Sequence, residues 1–167
     1  MSGGKVSEFA PPWAASVAGG AGSVSDDLFL IGLTTVRAAP SAARHKAAVV
    51  LREWNVSAEP AATVLLLISE LVTNAVTFGN LPGVPVPAQM TLALWRLADG
   101  LVIEVSDQSA ELPVRRSAGW DSESGRGLNL VNDLSREWGC YVPGPGWKTV
   151  YCVVAAVTMT SSSRDRD

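Results

Sequence analysis

The stretch that decides the fold is LLLISELVTNAVTFGN, residues 65–80. Its apolar residues recur at the three- and four-residue spacing of one helix face, which predicts a helix packed against a core. Glu70 and Asn74 interrupt this pattern, and because they stand one helical turn apart they project the same way from the helix. A carboxylate and a carboxamide in the middle of a core helix require an explanation.

The helix is expected to span residues 59–78, with Pro60 in its first turn and Gly79 after its end. A carboxylate at position 70 can take a proton from a hydroxyl or a water, and an amide oxygen at 74 is a neutral ligand for Mg²⁺. The same residues also fit the solvent-exposed side of an ordinary amphipathic helix. The predicted core stripe is Val64, Leu67, Ile68, Leu71, Val72 and Ala75, beside a polar line of Thr63, Glu70, Asn74 and Thr77.

The composition indicates a globular protein. A chain of 167 residues with 47% hydrophobic residues is long enough for one domain with its own core. A net charge of −3 argues against nucleic acid or an acidic membrane as a partner. We expect no apolar run that reaches the roughly 20 residues of a membrane span, and no secretion signal at the start of the chain. We expect a cytoplasmic protein in which Cys140 and Cys152 are reduced, half-buried thiols.

The order of the predicted elements indicates the fold class. Residues 1–25 read as a flexible N-terminal arm, 26–157 as the folded domain and 158–167 as a disordered tail. The order β-α-α-β-β-α-β-β predicts an α+β two-layer sandwich, a mixed, mainly antiparallel sheet with helices on one face. We expect strands at 28–36, 90–98, 101–107, 137–142 and 147–157, helices at 40–54, 59–78 and 125–134, and a hairpin turn at Asp99-Gly100.

A second candidate segment is VIEVSDQSAELP, residues 102–113. Asp107 ends a predicted strand at the mouth of a loop, where its carboxylate can accept a hydrogen bond from an amino group of a ligand. An aspartate that merely closes a strand through turn chemistry gives the same pattern.

A third candidate is ESGRGLNLV, residues 123–131. Gly125 and Gly127 ahead of an apolar helix expose backbone N–H groups that favour an anion, and Arg126 between them suits phosphate oxygens. A helix that begins with a tight turn is the alternative. The chain has neither GxxxxGK[ST] nor GxGxxG, so P-loop and Rossmann chemistry are not supported.

The order of the motifs resembles a known superfamily. SELVTNAV, VSDQS, SGRGLNLV and GWKTV follow one another as in the Bergerat-fold (GHKL) ATPase and kinase superfamily, most similarly to the bacterial anti-sigma-factor serine kinases. The resemblance covers residues 28–154 and implies the histidine-kinase-type ATPase fold. The segment after Asp107 departs from the superfamily, since QSAE stands where glycines are common.

The resemblance also implies roles for individual residues. Glu70 would be the general base, and Asn74 would hold a Mg²⁺ that bridges the phosphates of ATP. Asp107 would bind the adenine amino group with Thr149 beside it, and residues 108–124 would form a lid. The phosphate-binding residues would be Gly125, Arg126, Gly127 and Leu128.

The function that the resemblance implies is regulation of transcription. Such a chain would bind ATP and Mg²⁺, phosphorylate a serine of an anti-sigma-factor antagonist and bind a sigma factor. Kinases of this class often form homodimers. The alternative is a non-catalytic module in which ATP tunes the affinity for a sequestered regulator.

Overall fold

A computed structural model of the chain describes residues 5–7, 28–79, 87–97, 99–109 and 123–155, with backbone alone for 5–7 and 123–126. Each predicted helix and strand is present, and its ends lie within two residues of the predicted ones. The elements are β1 (Lys5–Ser7), β2 (Leu28–Thr34), α1 (Ala39–Glu53), α2 (Ala58–Phe78), β3 (Gln89–Leu97), β4 (Gly100–Asp107), α3 (Glu123–Leu134), β5 (Glu137–Gly144) and β6 (Trp147–Ala155).

The strands form one six-stranded sheet in the order β1-β5-β6-β4-β3-β2. The pairs β2–β3, β3–β4, β4–β6 and β5–β6 are antiparallel, and β1 pairs parallel with β5 at the edge. The three helices pack on one face, because their buried residues share a single hydrophobic core with residues of β3, β4, β5 and β6. The predicted α+β sandwich with a mixed, mainly antiparallel sheet is confirmed.

Helix α2 is the core helix of this layer, and its buried apolar residues are the predicted stripe, which packs on β4 and β6. Full burial of a side chain such as Leu67 or Ile68 contributes about 1.5–3 kcal/mol. At 21 residues and a mean hydropathy of 1.7, α2 has the length and composition of a membrane span, contrary to the expectation that no segment does. Packing of the buried stripe against the sheet accounts for part of this hydropathy.

The other face of the sheet carries a polar network among aromatic side chains. Trp95 Nε1 donates a hydrogen bond to Glu104 Oε2 at 2.9 Å, and Tyr141 OH donates to Glu104 Oε1 at 3.2 Å. Tyr151 OH donates to Glu137 Oε1 at 3.2 Å. Glu104 is buried, and the hydrogen bonds from Trp95 and Tyr141 offset the free-energy cost of burying its carboxylate.

Two details differ from the sequence predictions. Strand β1 lies inside the segment predicted as a flexible arm, where three residues are too few to show strand alternation. Gly100 pairs with Leu97 and is the first residue of β4, instead of part of the predicted turn at Asp99-Gly100. The strand needs glycine at this position because a β-carbon there would collide with the Val154 carbonyl oxygen of β6.

Some predictions concern residues outside the described part of the chain. These are the rest of the arm over 1–25, the tail over 158–167 and the lid segment between residues 110 and 122. Cys140 and Cys152 are free, as predicted, and are fully buried instead of half-buried.

Candidate functional site

Glu70 and Asn74 lie on the flank of α2, beside the buried stripe, and both are half-buried. Their side chains end over Gly127 of α3. A β-carbon at Gly127 would lie 2.8 Å from Glu70 Oε2, and 3.5 Å and 3.6 Å from Nδ2 and Oδ1 of Asn74. Because the first distance is shorter than real β-carbon contacts, glycine is what lets α3 approach Glu70 this closely. The structure thus brings together three of the residues that the sequence singled out.

The N-terminal end of α3 lies beside this pair. The helix begins at Glu123, two residues before the predicted start, so residues 125–127 lie within its first turns instead of ahead of them. The first N–H groups of a helix have no carbonyl partner inside it, and in α3 they include those of residues 123–125. These groups and the positive end of the helix dipole favour an anion. Leu128 packs against the core and anchors the helix there.

Asp107 ends β4 on the sheet face that the helices cover, and it is 2% exposed. Its Oδ1 accepts the Ser109 backbone N–H at 2.8 Å, and its Oδ2 lies 3.5 Å from Lys148 Nζ. Lys148 Nζ also donates to Ser109 Oγ at 3.2 Å. Burial raises the pKa of Asp107 above its ordinary value, and the Lys148 charge and the Ser109 N–H offset part of that rise. The carboxylate is therefore a desolvated acceptor.

Thr149 does not lie beside Asp107, contrary to the role that the motif resemblance implied. Asp107 pairs with Lys148 across the β4–β6 ladder, and Thr149 pairs with Ser106. Since neighbouring residues of a strand point to opposite faces, Thr149 faces away from the helices. There its Oγ1 lies 2.7 Å from Ser106 Oγ in a hydrogen bond. The side chain that faces Asp107 is that of Lys148.

The sequence contained a signal for Lys148 that our sequence reading missed. The core residues of β6 are Val150, Cys152 and Val154, which alternate with a period of two. Lys148 continues that series and Thr149 does not. The motif GWKTV favours the threonine by residue type, but the alternation of the strand selects the lysine.

The candidate residues share one layer of the molecule. Asp107 and Lys148 lie on the helix-facing side of the sheet, and α2 contacts both of their strands. Helix α2 also contacts α3 and carries Glu70 and Asn74 toward Gly127. A buried acceptor on the sheet and a polar pair beside a helix N-terminus therefore lie in one layer.

The side-chain oxygens of this layer could serve as metal ligands. They are better suited to a Mg²⁺ that a ligand's phosphates also hold than to a metal that protein side chains hold alone. In the described residues no group of three or more His, Cys, Asp or Glu side chains is close enough to hold a metal. Mg²⁺ commonly takes one or two protein oxygens and completes its shell with water and phosphate. The amide of Asn74 and the carboxylate of Glu70 are oxygen donors of that kind, next to a helix end that favours anions.

The sequence matches the histidine kinase-like ATPase domain over residues 34–151. The chain belongs to this family. The match runs from the end of β2 into β6 and contains the contact of Glu70 and Asn74 with Gly127 and the Asp107–Lys148 pair. Membership of this family agrees with the observed sheet covered by helices on one face.

A solved structure with a similar fold is that of the RsbU and RsbW domains of Rv1364c from Mycobacterium tuberculosis. The TM-score is 0.55 and the sequences are 22% identical, with 77% of this chain and 32% of that chain covered. The chain thus spans less than half of that structure, and the likeness is one of fold. A comparison with proteins of curated function gives no match.

Proposed function

We propose that this chain is a bacterial ATP-binding regulator, an anti-sigma factor that is also a serine protein kinase for an anti-sigma-factor antagonist. The observation that carries the proposal is the contact of Glu70 and Asn74 with Gly127 near the start of α3. Membership of the histidine kinase-like ATPase family supports ATP as the ligand. The resemblance of the four motifs to anti-sigma-factor kinases supports the partner.

In the proposed site, one residue binds the adenine end of ATP and a separate group of residues binds its phosphates. The carboxylate of Asp107 accepts a hydrogen bond from the adenine amino group, in a pocket that excludes water from that bond. The N–H groups of residues 123–125 and the charge of Arg126 hold the phosphates. Asn74 contributes an amide oxygen to Mg²⁺, which when bound neutralises charge on the phosphates.

In the proposed transfer, Glu70 acts as the base. Its carboxylate takes the proton of the serine hydroxyl as the serine oxygen forms a bond to the γ-phosphorus. The bond from that phosphorus to the β–γ bridging oxygen breaks, and its electron pair leaves with ADP. A base in this role contributes about 10²- to 10⁴-fold to the rate.

The proposed partners follow from the reaction. The antagonist supplies the serine, and a sigma factor binds to the same chain. Both partners work in the cytoplasm, which is the proposed location, and the proposed assembly is a homodimer.

The test of this proposal starts with capture of the partner. The Glu70→Gln chain keeps the shape of the site and removes the base, so it is the bait for a pull-down from the native cell. The captured proteins are then incubated with γ-labelled ATP and either wild type, Glu70→Gln or Glu53→Gln. Glu53 is an exposed glutamate at the end of α1 and serves as the matched control.

The expected result is a labelled serine with wild type and Glu53→Gln, and a rate at least about 100-fold lower with Glu70→Gln. Transfer that persists in Glu70→Gln would remove Glu70 from the base role. A wild type that binds ATP and its captured partner without transfer would instead be an ATP-responsive binding module.

A further inference from the structure

The side chain opposite Asp107 is a buried lysine, and neither the motif resemblance nor the family match gives it a role. Lys148 is 6% exposed. Lysine is almost never buried to this degree unless it is paired. Its ammonium group lies 3.5 Å from Asp107 Oδ2 and donates to Ser109 Oγ at 3.2 Å. The proposed base-binding carboxylate therefore has a cation as its immediate neighbour.

The Asp107–Lys148 contact is longer than a direct charge-assisted bond. Such bonds measure about 2.7–2.9 Å between nitrogen and oxygen. At 3.5 Å the charges neutralise one another, but the contact is not a short hydrogen bond. A flat ligand edge can therefore form a hydrogen bond to each group while the charges remain paired.

The two groups present an acceptor and a donor side by side. Oδ2 of Asp107 accepts hydrogen bonds and Nζ of Lys148 donates them, on adjacent strands that fix their spacing. The Watson–Crick edge of adenine offers the complement, with the amino group at N6 as donor and the ring nitrogen N1 as acceptor. Proteins that bind an unpaired base read this edge by hydrogen bonds.

We propose that Lys148 is a specificity-determining residue of the nucleotide site: it donates a hydrogen bond to N1 of adenine while Asp107 accepts one from the N6 amino group. This inference rests on the proposed ATP-binding function and adds a second side chain that recognises the adenine ring. The burial of both groups strengthens each bond, because no water competes with the base.

The test combines a change in the adenine ring of ATP with a change in the side chain at position 148. Affinities of the full-length chain are measured by calorimetry for ATP and for 1-deaza-ATP, which keeps the amino group and loses N1. The two ligands are compared in wild type, Lys148→Met and Lys46→Met. Lys46 is an exposed lysine of α1 and controls for the loss of a charge.

Wild type and Lys46→Met should bind 1-deaza-ATP about 10- to 100-fold more weakly than ATP, as expected for loss of a hydrogen bond to a charged group. In Lys148→Met that ratio should fall to within about threefold of unity. The ratio is informative even where the variant loses overall affinity or stability. The wild-type comparison requires no variant to fold.

Two outcomes would overturn the inference while the proposed function stands. They are wild type binding ATP and 1-deaza-ATP equally, and a ratio in Lys148→Met that equals the wild-type ratio. A wild type that binds GTP more tightly than ATP, or that binds no nucleotide, would overturn the proposed function as well.

Discussion

The carboxylate of Glu70 in α2 lies against the backbone of Gly127 in α3, so closely that a β-carbon at position 127 would be 2.8 Å from Oε2. The two residues come from different motifs, separated in the chain by the whole β3–β4 hairpin. Their contact joins the proposed base to the helix end that favours phosphates.

Gly127→Ala should therefore lower phosphotransfer more than stability. Alanine improves helix propensity by about 1 kcal/mol, which offsets part of an overpacking cost of about 1–3 kcal/mol. A shift of Glu70 by about 1 Å can cost a hundredfold in rate. We expect transfer to fall at least about tenfold, measured with labelled ATP, and the melting temperature to change little.

Gly32→Ala is the control for that experiment, because a β-carbon at Gly32 of β2 meets nothing within 4 Å. It should leave transfer unchanged and raise the melting temperature slightly, because glycine inside a strand is less stable than alanine. Equal rates for wild type and Gly127→Ala would show that the closeness of Glu70 to α3 has no part in the reaction.

The affinity for ATP should fall on acidification, as Asp107 takes up a proton. Burial raises the pKa of Asp107, so its carboxylate takes up a proton at a higher pH than an ordinary aspartate does. A neutral acid is a weaker acceptor, and we expect a loss of about fivefold or more by calorimetry. Asp107→Asn should bind ATP more weakly at neutral pH and show little of this dependence.

The same raised pKa has the opposite effect on stability. A carboxyl whose pKa rises on folding stabilises the fold below its unfolded pKa, and that contribution is lost as the pH rises through the folded value. Asp107 is thus not a source of acid unfolding.

If acid weakened ATP binding in Asp107→Asn as much as in wild type, another group would be responsible.

Tyr151 should make the fold sensitive to alkali. Burial, together with the neighbouring Glu137, raises the pKa of Tyr151 to about 12. The stabilisation is complete below the ordinary tyrosine pKa of about 10 and is lost as the pH rises through about 12. Tyr151→Phe should cost about 1 kcal/mol in denaturant unfolding at neutral pH, where its hydrogen bond to Glu137 is lost.

That cost should shrink as the pH rises through about 12, because wild type then loses the same contribution. Unfolding curves of both chains across this range provide the measurement. A difference that stays constant with pH would contradict the assignment to Tyr151.

The two thiols should be protected in the folded protein. Cys140 and Cys152 are buried in the core, and burial raises the pKa of both, so little reactive thiolate is present at neutral pH. A thiol reagent should modify neither cysteine in buffer and both in denaturant. Rapid modification of the native chain would show that the β5–β6 part of the core opens.

The helix layer was predictable because the apolar period of α2 is long and regular. That period fixed which residues are buried, and it separated Glu70 and Asn74 from the stripe. The contact with Gly127 was not predictable from spacing, because it depends on how closely two helices pack. The resemblance to a superfamily grouped these residues, and their distances came from the structure.

The Asp107–Lys148 pair shows where motif reasoning fails. Residue type and position in the motif point to Thr149, whereas the ladder register pairs Lys148 with Asp107. A change of one position in a strand reverses the face of the side chain. Strand β1 was missed for another reason, since a three-residue edge strand is specified by its partner β5 and not by its own sequence.

The central claim is that the polar pair of α2 and the start of α3 form a site for Mg²⁺-ATP. The most direct test is titration calorimetry of Mg²⁺-ATP into wild type, Asn74→Ala and Thr73→Ala, the last an exposed residue of the same helix. Wild type and Thr73→Ala should bind equally, and Asn74→Ala about 10- to 100-fold more weakly. Equal affinity in all three chains would contradict the assignment of the site.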